Sequence, residues 1–337
     1  MAIADTPDRF PQMDVGNGSS GRCERTSGVA LAAAADSLQH TLRLVCIPKT
    51  NQVIPRVDEW FLKHWAFPNE AAREEFQSRD LALFICYGMP DALNERTELA
   101  CKISNLLFFI DDEIDSWSIE KAQDFYKKFA GLILGDEDIH PVTQFEKILH
   151  DLFAETRRIG TLGQDFCEEV VRWFKHTASH ARPQWKSSGD ILEYCEYRIV
   201  DAGFWLTISL MRCAMDLQQP QRDDEVVSEC EHLAGYHAML VNDLFSYRRE
   251  VSRTGMGEVS AALINSVLVV QNGQGIGEQE AMMWLESYCE KLEGQFEEVA
   301  STTTHLGKDA NRYIDALRLL IAGNLKWSAV CGRYNKL

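Results

Sequence analysis

From residue 41 onward, apolar side chains recur every three or four positions over 90–115, 164–181, 188–217, 224–251, 277–300 and 306–334. That spacing is the period of a helix with one buried face. Leu99, Ile103, Leu106 and Ile110 form one such stripe. No run alternates β-branched and polar residues, no Asn-Gly turn joins two strand-like runs, and prolines number only 9. The pattern predicts an all-α chain. Breaks near Pro68, Gly88 to Pro90, Gly135 to Pro141, Gly160 to Gly163, Pro183 to Gly189, Gln218 to Asp224 and Gly273 to Gly277 divide it into roughly ten helices, more than a four-helix bundle needs and without a repeat period. Residues 1–40, with their glycines, serines and short alanine run, are expected to be a flexible tail. No linker composition interrupts 41–337, so a single helical domain is expected there.

Composition narrows the function. With 45% hydrophobic residues among 337, the chain can bury a large core. Lys and Arg total 34 against 51 Asp and Glu, a formal charge of −17, which disfavours a polyphosphate partner and so excludes nucleic-acid binding as a main role. A small anionic substrate stays compatible if bound cations reverse the potential at one place. Ten cysteines are scattered without a C-x-x-C pair and read as buried thiols of a reducing compartment. The longest apolar runs are too short to span a bilayer, and the first forty residues carry neither an apolar signal core nor an Arg-rich amphipathic pattern. A cytoplasmic protein without stable membrane insertion is expected. Monomer and homodimer are both open.

Two acidic constellations carry the chemistry. In Leu106-Leu107-Phe108-Phe109-Ile110-Asp111-Asp112-Glu113-Ile114-Asp115, carboxylates directly continue an apolar stripe. Asp111 and Asp115 share a helix face about 6 Å apart at Cβ, with Phe108 one turn before them. Such carboxylates are costly unless protonated, paired or bound to cations, or unless the helix simply emerges into water there. In Asn242-Asp243-Leu244-Phe245-Ser246-Tyr247-Arg248-Arg249-Glu250, Asn242, Ser246 and Glu250 recur every fourth residue and line one face. The outer two are about 12 Å apart along the axis, so all three reach one point only above Ser246. Amide, hydroxyl and carboxylate oxygens are hard ligands suited to Mg²⁺, and Arg249 beside Glu250 suits a phosphate.

Taken together, these segments resemble the class I terpene synthases, of the microbial or fungal sesquiterpene type. The first matches the aspartate-rich DDxxD motif, the second matches NDxxSxxxE at every defined position. Arg198, Asp201 and Ala202 resemble the family's diphosphate-sensing Arg on a broken helix, the Asp that follows it and the residue that offers a backbone carbonyl. The family more often has Gly where Ala202 stands, but a carbonyl is the working group. Arg333-Tyr334 resembles the C-terminal Arg-Tyr pair. The resemblance implies antiparallel helices around a deep apolar cavity and three Mg²⁺ ions at its mouth. It implies metal roles for Asp111, Asp115, Asn242, Ser246 and Glu250, and donors to a substrate diphosphate in Arg198, Arg249, Arg333 and Tyr334. Phe84, Phe108 and Trp327 match aromatic lining positions, and Trp327 and Tyr334 are expected two turns apart on one helix face. Phe204, Trp205 and Phe245 read more readily as core filling.

Other patterns carry less. His176 and His180 are four apart but lack the Glu of a zinc-hydrolase motif, Gly273-Gln274-Gly275-Ile276-Gly277 lacks a preceding strand and a P-loop lysine, and no D-x-D-D run exists for class II cyclisation. The implied activity is Mg²⁺-dependent cyclisation of a linear isoprenyl diphosphate, farnesyl diphosphate first. Two alternatives remain open at this level. A chain-elongating isoprenyl diphosphate synthase would carry a second aspartate-rich motif where Asn242, Ser246 and Glu250 stand. A non-catalytic helical binding protein of the same fold would have no need of intact metal ligands.

Overall fold

The computed structural model describes residues 45–47, 50–114, 117–179, 190–218, 225–255 and 263–335. The expected tail therefore lies outside the described residues, as do Asp115 and His180. Helices account for almost all the regular structure described. They are α1 (Thr50–His64), α2 (Glu70–Ser78), α3 (Leu83–Gly88), α4 (Asn94–Ile114), α5 (Ile119–Leu134), α6 (Gln144–Arg157), α7 (Thr161–Ser179), α8 (Ile191–Asp201), α9 (Phe204–Met215), α10 (Glu225–Gly255), α11 (Ser266–Gln274), α12 (Glu278–Ser301), α13 (Lys308–Val330) and α14 (Gly332–Asn335), with a 3₁₀ turn at Thr302–Leu306. Their ends follow local chemistry. Ser118 accepts from Lys121 N–H to start α5, Thr143 and Glu146 form a capping box on α6, and Gly135 and Gly275 end α5 and α11 in the left-handed region.

The expected stripe is buried as read: Leu99, Ile103, Leu106 and Ile110 of α4 all face the core. Buried side chains form one cluster running from Ile47 to Tyr334. Within it α10 is the central rod, packed on α8, α11, α12 and α13, while α13 lies along α3 and α4 contacts α1, α3 and α9. The contact between α13 and α3 is made by backbone: a Cβ on Gly323 would sit 2.2 Å from the Tyr87 carbonyl oxygen. The continuous stretch 188–217 is split at Ala202–Gly203, where Gly203 has φ 74°. The stretch 306–334 is also split. Cys331 is extended (φ −66°, ψ 145°), and the peptide N–H of Gly332 donates to Asp80 Oδ2 at 3.0 Å, so α14 starts afresh. Trp327 and Tyr334 therefore do not share one helix, a correction to the sequence expectation; their rings still meet edge to face at 5.3 Å.

Candidate active site

The described members of both predicted rows face one cavity. Asp111 from the last turn of α4 and Asn242, Ser246 and Glu250 from the middle of α10 line it together with Arg198, Asp201, Ala202, Arg249, Arg333, Tyr334, Phe84, Phe108 and Trp327. Phe204, Trp205 and Phe245 do not line it. Phe204 and Phe245 are buried in the core, and Trp205 packs against His232. His176 lies beside Tyr197, away from this lining.

The α10 row is built in advance. Asn242 Nδ2 donates to the Tyr334 hydroxyl at 2.7 Å, which turns Asn242 Oδ1 the other way. Ser246 donates to Glu250 Oε1 at 2.7 Å, and Asn265 Nδ2 donates to Glu250 Oε2 at 3.0 Å and to the Asp243 carbonyl at 2.8 Å. Burial and the nearby Asp243 charge push the Glu250 carboxyl up. A cation at this oxygen set would reverse that penalty. Oxygen donors without thiolate or imidazole fit a hard divalent ion such as Mg²⁺, and no described group of three His, Cys, Asp or Glu forms a ready-made cage. The donor set fits an ion that keeps waters and takes phosphate oxygens.

Behind this row, Asp243 is fully buried and organises the broken helix. Its Oδ1 accepts from Arg198 Nε at 3.1 Å and Nη2 at 3.0 Å, its Oδ2 from Ser266 N–H at 3.0 Å and from the Tyr194 hydroxyl. Arg198 also donates to Asp201 Oδ2 at 2.8 Å, and the Asp201 carbonyl accepts from Trp173 Nε1 at 3.0 Å. A Cβ on Gly203 would meet that indole at 3.3 Å, so the break is both left-handed and crowded.

At the other side of the mouth, Asp112 gathers four guanidinium groups. Arg333 binds it through both Nη atoms at 2.9 Å each, Arg249 at 2.9 Å, Arg79 at 3.0 Å and Arg253 at 3.3 Å. Burial raises the Asp112 carboxyl, but the charges of Arg333, Arg249 and Arg79 outweigh it and hold the group well below the carboxylate range. Beneath lie the aromatics. Phe108 and Trp327 stack at 5.4 Å, Phe84 meets their edges at 5.2 and 6.1 Å, and the Arg333 guanidinium sits 4.9 Å over Phe108. Trp327 is fixed by its indole N–H to the Asp80 carbonyl at 2.9 Å.

Hard-ligand rows, clustered arginines and an aromatic box share one opening, and a family model described as "Terpene synthase family 2, C-terminal metal binding" matches residues 102–295. The chain belongs to the terpene synthases. It is an enzyme of the class I type, and the family's metal-binding domain makes it dependent on a divalent metal. It is 27% identical over 302 residues to a (+)-aristolochene synthase of Penicillium expansum, covering 88% of this chain and 90% of that one. It is 28% identical to the aristolochene synthase of Aspergillus terreus, covering 88% and 93%. The crystal structure of aristolochene synthase from Penicillium roqueforti matches with a TM-score of 0.75 at 25% identity, over 86% of this chain and 97% of that one. No described helix is long and apolar enough to cross a membrane.

Several functional neighbours of this terpene synthase's mouth escaped sequence reading. Asp112 and Asp243 lie inside the two motifs but were given no role. Arg253 stands one turn after Arg249 on α10, a spacing that signals a shared face. Arg79 and Asn265 carry no local signal at all.

Proposed function

We propose that this terpene synthase ionises and cyclises farnesyl diphosphate using Mg²⁺, three ions in all. Asp111 and Asp115 hold ions on the α4 side, and Asn242, Ser246 and Glu250 hold one on the α10 side. The single observation that supports this most is that Asp111 and the row of Asn242, Ser246 and Glu250 open onto the same aromatic-lined cavity. When bound, the ions supply Lewis-acid neutralisation of the departing diphosphate.

The chain's own residues do the rest. Arg198, Arg249, Arg333 and Tyr334 give charge-assisted donors to the diphosphate oxygens. Asp201 passes the position of Arg198 to the helix break, where the Ala202 carbonyl faces developing positive charge. Phe84, Phe108 and Trp327 face the hydrocarbon cation with π-clouds, each contributing about 0.5–2 kcal/mol without acting as nucleophiles. Their walls exclude water during ionisation. Nine unpaired cysteines among the described residues accord with a cytoplasmic location.

The test is incubation of purified protein with Mg²⁺ and, separately, geranyl, farnesyl and geranylgeranyl diphosphate, reading diphosphate release and volatile products. Farnesyl diphosphate is expected to be consumed fastest, chelator to abolish turnover, and isopentenyl diphosphate to be left unincorporated. Consumption of none of the three sinks the reading.

A further inference from the structure

Among the described residues, only two that are not glycine have a positive φ, Asp80 at 55° and Asp216 at 53°. Asp216 caps the end of α9 and pairs with Arg96 at 3.0 Å. Asp80 lies in the connection from α2 to α3, where a glycine would adopt the same backbone at no steric cost. Such strain persists where the side chain serves a purpose. That purpose is visible in what Asp80 holds.

Both polar ends of Asp80 reach the C-terminal part of the cavity wall. Its carbonyl accepts the Leu83 N–H at 3.2 Å, which opens α3, and the Trp327 indole N–H at 2.9 Å. Its Oδ2 accepts the Gly332 N–H at 3.0 Å, the first of α14, and beside it the Arg79 carbonyl accepts the Arg333 N–H at 3.1 Å. Because α3 and α13 also touch at Tyr87 and Gly323, they run antiparallel, and Asp80 closes the end opposite that seam. One residue thus stands where the helix of Phe84, the Trp327 indole and the Arg333-Tyr334 pair meet. The Phe84 and Trp327 rings are 5.2 Å apart, and the Trp327 and Tyr334 rings 5.3 Å.

The short α14 needs such an anchor. It has 4 residues and follows an extended Cys331, and a single turn does not hold itself in water. Asn335 Nδ2 ties its far end only to the neighbouring Ser328 and Cys331 carbonyls. The side-chain tips cannot also serve as anchors, because the Arg333 guanidinium on Asp112 and the Tyr334 hydroxyl at Asn242 are the groups that turn to a diphosphate. As those tips exchange partners, the Gly332 and Arg333 N–H groups keep the backbone on the Arg79–Asp80 turn.

We infer that Asp80 is a positioning residue for the diphosphate end of the site: from a left-handed turn, its carboxylate sets where Arg333 and Tyr334 stand over Trp327. This rests on the proposed diphosphate chemistry of the cavity. Asp80 acts through the Gly332 peptide and touches no substrate itself.

The experiment is calorimetric titration of the full chain with inorganic diphosphate in the presence of Mg²⁺, alongside turnover of farnesyl diphosphate. Asp80→Gly keeps the backbone and the carbonyl and removes only the carboxylate. Gly332→Pro removes the donor from the other side; Gly332 has no positive φ, proline suits the first position of a helix, and Cys331 already has the extended backbone that precedes proline. Each is expected to weaken diphosphate binding about tenfold, the scale of one hydrogen bond. The double variant should be no weaker than either alone, since both cut the same bond. Asp80→Asn tolerates the left-handed backbone and keeps an acceptor oxygen, so it should stay within about threefold of the wild type. Wild-type affinity in Asp80→Gly or Gly332→Pro, an Asp80→Asn as weak as Asp80→Gly, or a double variant weakened about a hundredfold would overturn the inference. Should Asp80→Gly fail to fold, Gly332→Pro compared with Asp80→Asn decides alone. Diphosphate binding without turnover of any isoprenyl substrate would refute the cyclase reading and leave this inference standing; no diphosphate binding by the wild type sinks both.

Discussion

The two acid-bearing helices at the mouth are organised in opposite ways. On α10 the donors sit mid-helix, each held by a hydrogen bond without a cationic partner: Asn242 by Tyr334, Ser246 by Glu250, Glu250 by Asn265. On α4 the acids sit in the last turn, at Ile114 from its end, and the strongest interactions there are ionic, four arginines on Asp112. One row is pre-shaped for a small cation by hydrogen bonds among its own members and to Tyr334 and Asn265, without a guanidinium. The other keeps a store of positive charge beside the opening, gathered on the Asp112 carboxylate, with Glu75 pairing Arg79 as well. Preorganisation and charge reserve are thus assigned to different helices, and each can be broken without the other.

The largest effect is expected from Glu250→Gln. Removing the one described carboxylate of the α10 row should cut kcat/KM for farnesyl diphosphate on the order of 10³-fold, measured by diphosphate release. Next is Asp112→Ala on the opposite side. It removes the shared carboxylate of four guanidinium groups at a buried point, where Arg79 keeps Glu75 but Arg333 and Arg249 lose their ion pair, and urea denaturation should show a loss of about 3 kcal/mol. Asp112 has a depressed carboxyl, so its stabilisation is present above the unfolded pKa of about 4 and is lost as pH falls toward the folded value; acid titration of the wild type should show it.

A finer test addresses the neutral clamp. Asn265→Ala should raise the half-saturating Mg²⁺ concentration about 10–100-fold while changing KM for the isoprenyl diphosphate much less. Equal shifts in both would mean general damage and not misplacement of Glu250. The smallest effect lies at Asp58, an acid in the opposite situation to Asp112. Burial and the neighbouring Asp80 push it up to about 6. Its protonated form is favoured by the fold, so its contribution is full below pH ~4 and is lost as pH rises through about 6. Because the side chain is partly exposed, Asp58→Asn should gain only about 1 kcal/mol at pH 8 and nothing at pH 4, read from thermal unfolding.

What was readable in the chain was local. The stripe of Leu99, Ile103, Leu106 and Ile110 and the row of Asn242, Ser246 and Glu250 are properties of helical spacing, and the structure keeps both. What escaped depends on partners far apart in sequence. Asp112 looks like any acid in an acidic run until Arg79, Arg249, Arg253 and Arg333 converge on it from three other parts of the chain. Asn265 becomes visible only when α11 packs beside α10. The break before Tyr334 was hidden because Cys331 is no helix breaker by type; the Asp80 carboxylate, from the turn between α2 and α3, captures the next peptide N–H.

The bare backbone contact between Gly323 and Tyr87 has a consequence for evolvability. Where two helices touch without intervening side chains, their spacing has no adjustable part: a rotamer change cannot widen it, and one added methyl must pry the helices apart. The neighbours on these helices, Phe84 on one and Asn324 and Trp327 on the other, are therefore set as the two plates of a fixed mould. Changes in product outline among descendants of this enzyme should accumulate by swapping what lines the plates, with the hinge-like seam at Gly323 left untouched.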